Sequence, residues 1–458
     1  MLLMKKEVSI TNLSKRILNR RKFLGLASFT VSEILSSLDK NKLYAKKTNN
    51  LIEEYRTFRD GHVFCKNNQV FVSAFKAMRF SKPVHNDLYK EIRIFHTECP
   101  DFTFGTDYEE YFRALDYKKA DLVFQGPVEP ALQSKFSFTD ENVKTGAVYC
   151  YWIASSTGEP EGPLPVKVRD PDVWWTFEKV KAKIDFLKNA YPDYIQVQQI
   201  GFTANRRSIT AIKAGQAEKC IALIGAVHAG EAGPELIMYV LKKLLEKHKD
   251  LLKKVSVIAI PSANPDMRDK LAFGNPWYIR RNANLVDINR NFPTDWEKTE
   301  QNYGYSTDDP QGYTYRGQYP ASESETTAIM NYIKQTKPAA LFSFHFLASI
   351  AGGTLLGSKD AVNDKGYVNL CYKIARPYWK GMNLNEPKKE EIVFYCTAGS
   401  LPTWGYKSLG IPAFDVEDPF DPADWAQCAK DHTDTSLLQK YQQLQFQGFT
   451  SLLTSIGS

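Results

Sequence analysis

The segment GAVHAGEAGPE, Gly225 to Glu235, sets a histidine and a glutamate three residues apart with only Ala and Gly between them. It lies between an apolar run, CIALIGAV, and the helix-like pattern LIMYVLKKLLE, so the pair falls where a buried strand gives out. A neutral imidazole and a carboxylate on one short loop can converge on a single metal ion, because small intervening residues let the backbone bend tightly around it. An HxxE pair by itself also arises by chance on protein surfaces, so its meaning depends on what accompanies it.

Four further stretches follow in order: WYIRRNANLVDINRNFP (Trp277 to Pro293), LFSFHF around His345, YCTAGSLPTWGY (Tyr395 to Tyr406) and FDVE (Phe414 to Glu417). Together and in this order, the five motifs resemble the zinc carboxypeptidase family of the carboxypeptidase A type. The resemblance runs from about Asp170 to near the end, some three fifths of the chain. It implies His228, Glu231 and His345 as ligands of one zinc ion per chain, a set that leaves a position open for water or a substrate carbonyl. It makes Asp287 the carboxylate that orients the first histidine. Asn289 and Arg290 match the pair that holds a substrate's terminal carboxylate, for which a guanidinium fork is suited because it makes two parallel hydrogen bonds. Arg280 matches the arginine that stabilises the developing oxyanion, with Arg281 competing for that place. Glu417 matches the catalytic glutamate, first a base toward the attacking water and then an acid toward the leaving amine. Tyr395, next to Phe394, matches the mobile tyrosine that closes over bound substrate.

The chain departs from the family in places. Ala-Gly fills HxxE where digestive relatives carry an arginine, and Thr403 stands where many have Asp before Trp. Asp415, two residues before Glu417, shares its face of a strand. It is expected either to read a basic or amino-bearing side chain such as Lys, Arg or diaminopimelate, or to partner Arg290 or a loop amide.

Elements that could hold these residues follow from the hydrophobic rhythm. After Asp170, strand-like runs (YIQVQQIGF, SITAIKAG, CIALIGAV, VSVIAIPSANP, AALFSFH, GIPAFDVE) alternate with helical patterns such as ESETTAIMNYIKQ. This predicts an α/β fold, a three-layer sandwich with a mixed, largely parallel central sheet over 170–458. In such sheets ligands collect at the carboxyl ends of strands, where His228, His345 and Glu417 fall. Residues 51–168 instead carry short alternating runs between turn residues, which predicts an all-β sandwich domain. Its end, GAVYCYWIASSTGEPEGPLPVKVRD, resembles the last two strands of a fibronectin type III domain, with Tyr149 at the corner tyrosine.

Of the 458 residues 43% are hydrophobic, enough for a sizeable core, and the formal charge is +7. Eleven Lys and Arg against three acids fall in the first fifty residues, so the body is nearly neutral, which argues against nucleic acid as a partner. NRRKFLG with the apolar stretch after it resembles a twin-arginine export signal over residues 1–45, against the alternative of a basic amphipathic surface helix. That stretch is short and interrupted by Glu33, so no stable membrane span is expected. Seven cysteines without a CxxC pair do not form a disulfide framework. The expected function is that of an exported, periplasmic or secreted, zinc metallocarboxypeptidase acting on peptides or muropeptides. Hydrolysis of peptidoglycan stem peptides, hydrolysis of acylated amino acids and a non-catalytic binding module are the alternatives.

Overall fold

The computed structural model describes residues 58–76, 91–102, 108–127, 135–155, 160–276, 278–298, 306–345, 355–383, 391–417 and 435–458; the expected leader over 1–45 lies outside them. β1 (Phe58–Lys66) and β2 (Gln69–Lys76) form a hairpin. Its two-residue turn is Asn67-Asn68, with φ of 50° and 61°, the left-handed backbone that matches the strand twist and that Asn tolerates. β2 also pairs with β5 (Lys135–Asp140). A second antiparallel sheet, in the order β4-β3-β6-β7, is built from β3 (Glu91–Glu98), β4 (Asp121–Pro127), β6 (Val148–Ser155) and β7 (Glu161–Lys167). Alternate residues of the two sheets, Cys65, Val70 and Val72 against Ile92, Ile94, Tyr151, Ile153 and Val166, share one core. The opposite face of the second sheet is covered by a short helix, α1 (Tyr108–Arg113), through Phe112 against Cys150 and Trp152. The Tyr149 hydroxyl accepts a hydrogen bond from Lys144 N at 3.2 Å, the geometry of a tyrosine corner.

The remainder is organised around an eight-stranded sheet in the order β14-β13-β15-β12-β10-β11-β9-β8. Its centre is parallel: β10 (Cys220–Gly225), β11 (Ser256–Ile260), β12 (Leu341–His345) and β15 (Ala413–Glu417). Antiparallel pairings join β9 (Ser208–Ala214) and β8 (Ile195–Phe202) on one side. On the other, β13 (Leu355–Ser358) runs antiparallel to β15 and parallel to β14 (Ile392–Cys396). The apolar runs are continuous because both faces are covered. Ile221 and Leu223 enter one core and Ala222 and Ile224 the other. The first core receives α2 (Phe177–Ala190), α3 (Pro234–Lys247), α6 (Lys365–Met382) and α7 (Thr435–Gly457); the second receives α5 (Ser324–Thr336). Each fully buried Val, Leu, Ile or Phe contributes about 1.5–3 kcal/mol, so this double core anchors the strand ends. α3 starts where Pro234 pre-sets a helical φ, and its buried Leu236, Ile237, Val240, Leu241 and Leu244 recur at helical spacing.

The β-sheet region and the α/β region are joined by backbone hydrogen bonds. Cys65 N donates to Phe273 O at 2.8 Å and Lys167 N to Gly274 O at 2.7 Å, at the end of α4 (Pro265–Ala272). Phe64 packs edge-on against Phe273, with ring centroids 6.4 Å apart. No helix among the described residues is long and apolar enough to cross a membrane. The six described cysteines are buried free thiols, and Cys428 lies outside the described residues.

Candidate active site

Strand register brings the motifs together. In the parallel β12–β15 pair, His345 stands opposite Glu417 and Ser343 opposite Asp415. Phe344 and Val416 enter the helix-covered core, so alternation turns the other four side chains to the opposite face. β10, the other neighbour of β12, ends at Gly225 and releases the loop that carries His228 and Glu231.

There His228 Nδ1 lies 2.9 Å from Glu231 Oε1 and 3.1 Å from His345 Nδ1, and His345 Nδ1 lies 2.7 Å from Glu231 Oε2. All three residues are buried, and one ligand atom from each lies within 4.8 Å of the others. The far ring nitrogens face carboxylates: His228 Nε2 lies 3.0 Å from Asp287 Oδ1, and His345 Nε2 lies 3.2 Å from Asp415 Oδ1 and 3.0 Å from Ser343 Oγ. Donation from Nε2 to these acceptors would leave both Nδ1 lone pairs facing Glu231 whenever the rings are neutral, the state a bound cation requires. Three lone-pair donors crowded at one point repel each other unless a cation sits among them, so the donor set fits a metal ion. Burial would raise the Glu231 carboxyl, but the two histidines beside it bring it well below the usual carboxylate range. Asp287 is likewise opposed by burial and held well below that range by Arg280 and His228. Both shifts favour the carboxylate form.

Asp287 has three duties. Besides His228 it accepts Arg280 Nε through Oδ2 at 2.5 Å and, through Oδ1, Asn289 N at 3.0 Å, capping the single turn Ile288–Arg290. Arg280 thus sits beside the His228–Glu231–His345 cluster. Arg281 is directed elsewhere, donating to Gly312 O at 2.9 Å and Pro310 O at 3.3 Å. The Asn289 side chain accepts from Leu401 N at 2.8 Å and donates to Asp415 Oδ2 at 2.8 Å. Arg290, 7% exposed, donates through Nη1 to Asn289 O at 2.7 Å, and its Nε has no partner among the described residues. Asp415 is 5% exposed; its Oδ2 accepts from Asn289 and from the Cys396 thiol at 3.5 Å, while its Oδ1 lies within ion-pair distance of His345 Nε2. Glu417 is 7% exposed at the end of β15. On β14 Phe394 packs against the core, while Tyr395 is half-buried one residue before Cys396.

Arg290 is seated by the loop that follows β14. Gly399 N donates to Thr294 O and Phe292 N to Gly399 O, both at 2.9 Å, with Gly399 at φ +72°. A Cβ there would lie 2.3 Å from Arg290 O. Gly399→Ala is therefore expected to destabilise the protein by about 1–3 kcal/mol, through both the left-handed backbone and the clash. Equilibrium denaturation would measure it, and an unchanged midpoint would contradict this account.

The model of the zinc carboxypeptidase family matches residues 180–422, more than half of the chain. This chain belongs to that family. Mast cell carboxypeptidase A of Rattus norvegicus is 25% identical over 273 residues, 53% of this chain and 63% of that protein. Murein peptide amidase A of Escherichia coli (strain K12) is 39% identical over 70 residues, 15% of this chain and 29% of that protein. The chain spans less than two thirds of the length of these curated relatives. The crystal structure of carboxypeptidase A from Helicoverpa armigera, 19% identical, superposes with a TM-score of 0.52 over 63% of this chain and 75% of that chain, which bears on the fold.

Two neighbours of the family's ligand set escape a sequence reading. Tyr278 donates its hydroxyl to Glu231 Oε1 at 2.5 Å. Its ring lies against Gly230, where a Cβ would meet Tyr278 Cδ2 at 2.3 Å, so the glycine inside HAGE is what admits the tyrosine. Its only signal is adjacency to the RRN stretch. Arg268 contacts the same loop from α4, where an arginine in a helix reads as a solvated residue.

Proposed function

We propose that the protein is an exported zinc-dependent metallocarboxypeptidase that hydrolyses the C-terminal peptide bond of peptides. The observation that carries this reading is the convergence of His228 Nδ1, His345 Nδ1 and Glu231 on one point, with Glu417 beside His345 in the neighbouring strand. His228, Glu231 and His345 would hold one zinc ion, which when bound acts as a Lewis acid on a carbonyl and lowers the pKa of water to about 7. Arg290, with Asn289 beside it, binds the terminal carboxylate and sets the register of the last peptide bond. Glu417 takes a proton from the attacking water as the C–O bond forms and then gives it to the amine nitrogen, whose protonation lets the C–N bond break. Arg280, held by Asp287, supplies positive charge where the carbonyl oxygen becomes anionic. Tyr395 covers the bound residue.

Mass spectrometry of products from zinc-loaded protein with linear peptides, their C-terminal amides and muropeptides tests the reading. Loss of single C-terminal residues from free acids, but not from amides, is the expected result. Cleavage confined to muropeptides would favour a second reading, peptidoglycan stem-peptide hydrolysis, which the similarity to murein peptide amidase A supports.

The contacts of Asp415 favour a positioning role over direct recognition of a cationic side chain. Asp415→Ala is expected to leave the preferred C-terminal residue unchanged and to weaken zinc binding about 10–100-fold, because His345 loses its orienting carboxylate. A changed substrate profile with unchanged zinc affinity would restore the recognition role.

A further inference from the structure

Arg268 is 0% exposed and takes no part in the chemistry above. Its guanidinium donates through Nη1 to the carbonyls of Ala229 at 3.0 Å and Glu231 at 2.8 Å, through Nε to Trp175 O at 3.1 Å, and through Nη2 to the Glu235 carboxylate. Ala229 and Glu231 flank Gly230 in the loop that presents His228 and Glu231, and Glu235 lies in the first turn of α3. One planar fork thus ties the loop to the helix that follows it and to the Trp174-Trp175 segment before α2. Glu235 Oε1 is shared with Trp175 N at 2.8 Å. The Arg268 guanidinium also lies 5.1 Å from the Trp174 ring, which Arg169 approaches at 5.2 Å.

The loop needs such a clamp. Its residues Ala229, Gly230, Ala232 and Gly233 have no side chains long enough to hold it, and fixing a free backbone residue costs about 1–2 kcal/mol. α4, which carries Arg268, is itself anchored at Phe273 and Gly274 by β1 and β7, and Arg169 Nη2 donates to Asn275 O at 3.0 Å just beyond.

We propose that Arg268 is a positioning residue for the metal site: it holds the Ala229–Glu231 backbone so that His228 and Glu231 stay converged, and it links that loop through α4 to the N-terminal β-sheets. This rests on the metal-site reading above. Lysine cannot replace it, because a single ammonium cannot meet two loop carbonyls, Trp175 O and Glu235 together.

The test measures zinc affinity by competition with a chromophoric chelator, far below the unfolding temperature, for the full chain, Arg268→Lys and the double variant Arg268→Met/Glu235→Gln. Thermal unfolding of the zinc-free proteins runs alongside. The double variant leaves no unpaired buried charge and keeps an acceptor for Trp175 N, but it removes the donor to the carbonyls of Ala229, Glu231 and Trp175, so its zinc-free Tm is expected to fall while the protein stays folded at the temperature of the zinc titration. Its zinc Kd is expected to rise about 10–100-fold, and that of Arg268→Lys in the same direction. Zinc Kd values within twofold of the parent in both variants, whatever their Tm, would overturn the proposal by reducing Arg268 to a packing role. A parent chain that bound no zinc would overturn the metal-site reading itself, so the two failures are distinct.

Discussion

Glu417→Gln is expected to lower kcat by about 10²–10⁴-fold while zinc content and KM stay close to those of the parent. Glutamine keeps the size of the side chain and its place at the end of β15, opposite His345, but it cannot accept and return a proton. Proton transfer is made only in the transition state, so its loss falls on kcat and not on the binding of substrate in its ground state. Steady-state kinetics on a linear peptide, with metal analysis of the same samples, would measure this. A kcat within tenfold of the parent would assign the proton transfers to another group.

Arg290→Met is expected to have the second largest effect, a fall in kcat/KM of roughly 30-fold to several thousandfold on free-acid peptides. This corresponds to the 2–5 kcal/mol typical of removing one partner from a desolvated, hydrogen-bonded charge pair. Arg290 is buried, its Nη1 is tied to Asn289 O, and its Nε meets no acceptor among the described residues, an arrangement suited to a carboxylate brought in by a ligand. Peptide amides lack that carboxylate, so whatever trace turnover they show is expected to change little, and the parent's discrimination between acid and amide to collapse. Arg290→Lys is expected to fall between the two, since the charge remains but the bidentate fork is lost. Equal losses on acids and amides would instead place Arg290 in support of the loop through Asn289.

The β-sheet region also enters this account. Its hydrogen bonds to Phe273 and Gly274 hold the end of α4, a few residues before Tyr278 and Arg280 join the site. The resemblance of its end to a fibronectin type III domain by itself implies a unit that binds or spaces. The seam with α4 instead ties that region to the segment on which the site is built.

Local pattern was enough to read the two β and α/β regions, the apolar strands and the residues at their ends. Those features are written in periodicity, and strand ends in an α/β sheet are where side chains meet ligands. His228, Glu231, His345, Asp287, Arg290 and Glu417 were legible as a set because five short motifs occur in one order. What remained open depended on contacts between residues far apart in the chain. Arg280 and Arg281 are identical in type and adjacent in sequence. Only the fold turns one toward Asp287 and the other toward Pro310 and Gly312. For Asp415 the sequence left open a reader of a basic side chain or a partner of Arg290 or a loop amide; its contacts with His345 and Asn289 arise only from the register in which β12 and β15 pair. Tyr278 and Arg268 act on the HAGE loop across 47 and 37 residues of chain, to the Glu231 carboxylate and backbone respectively. No spacing rule reports such contacts, because their geometry is set by how helices and strands pack and not by the residues next to them.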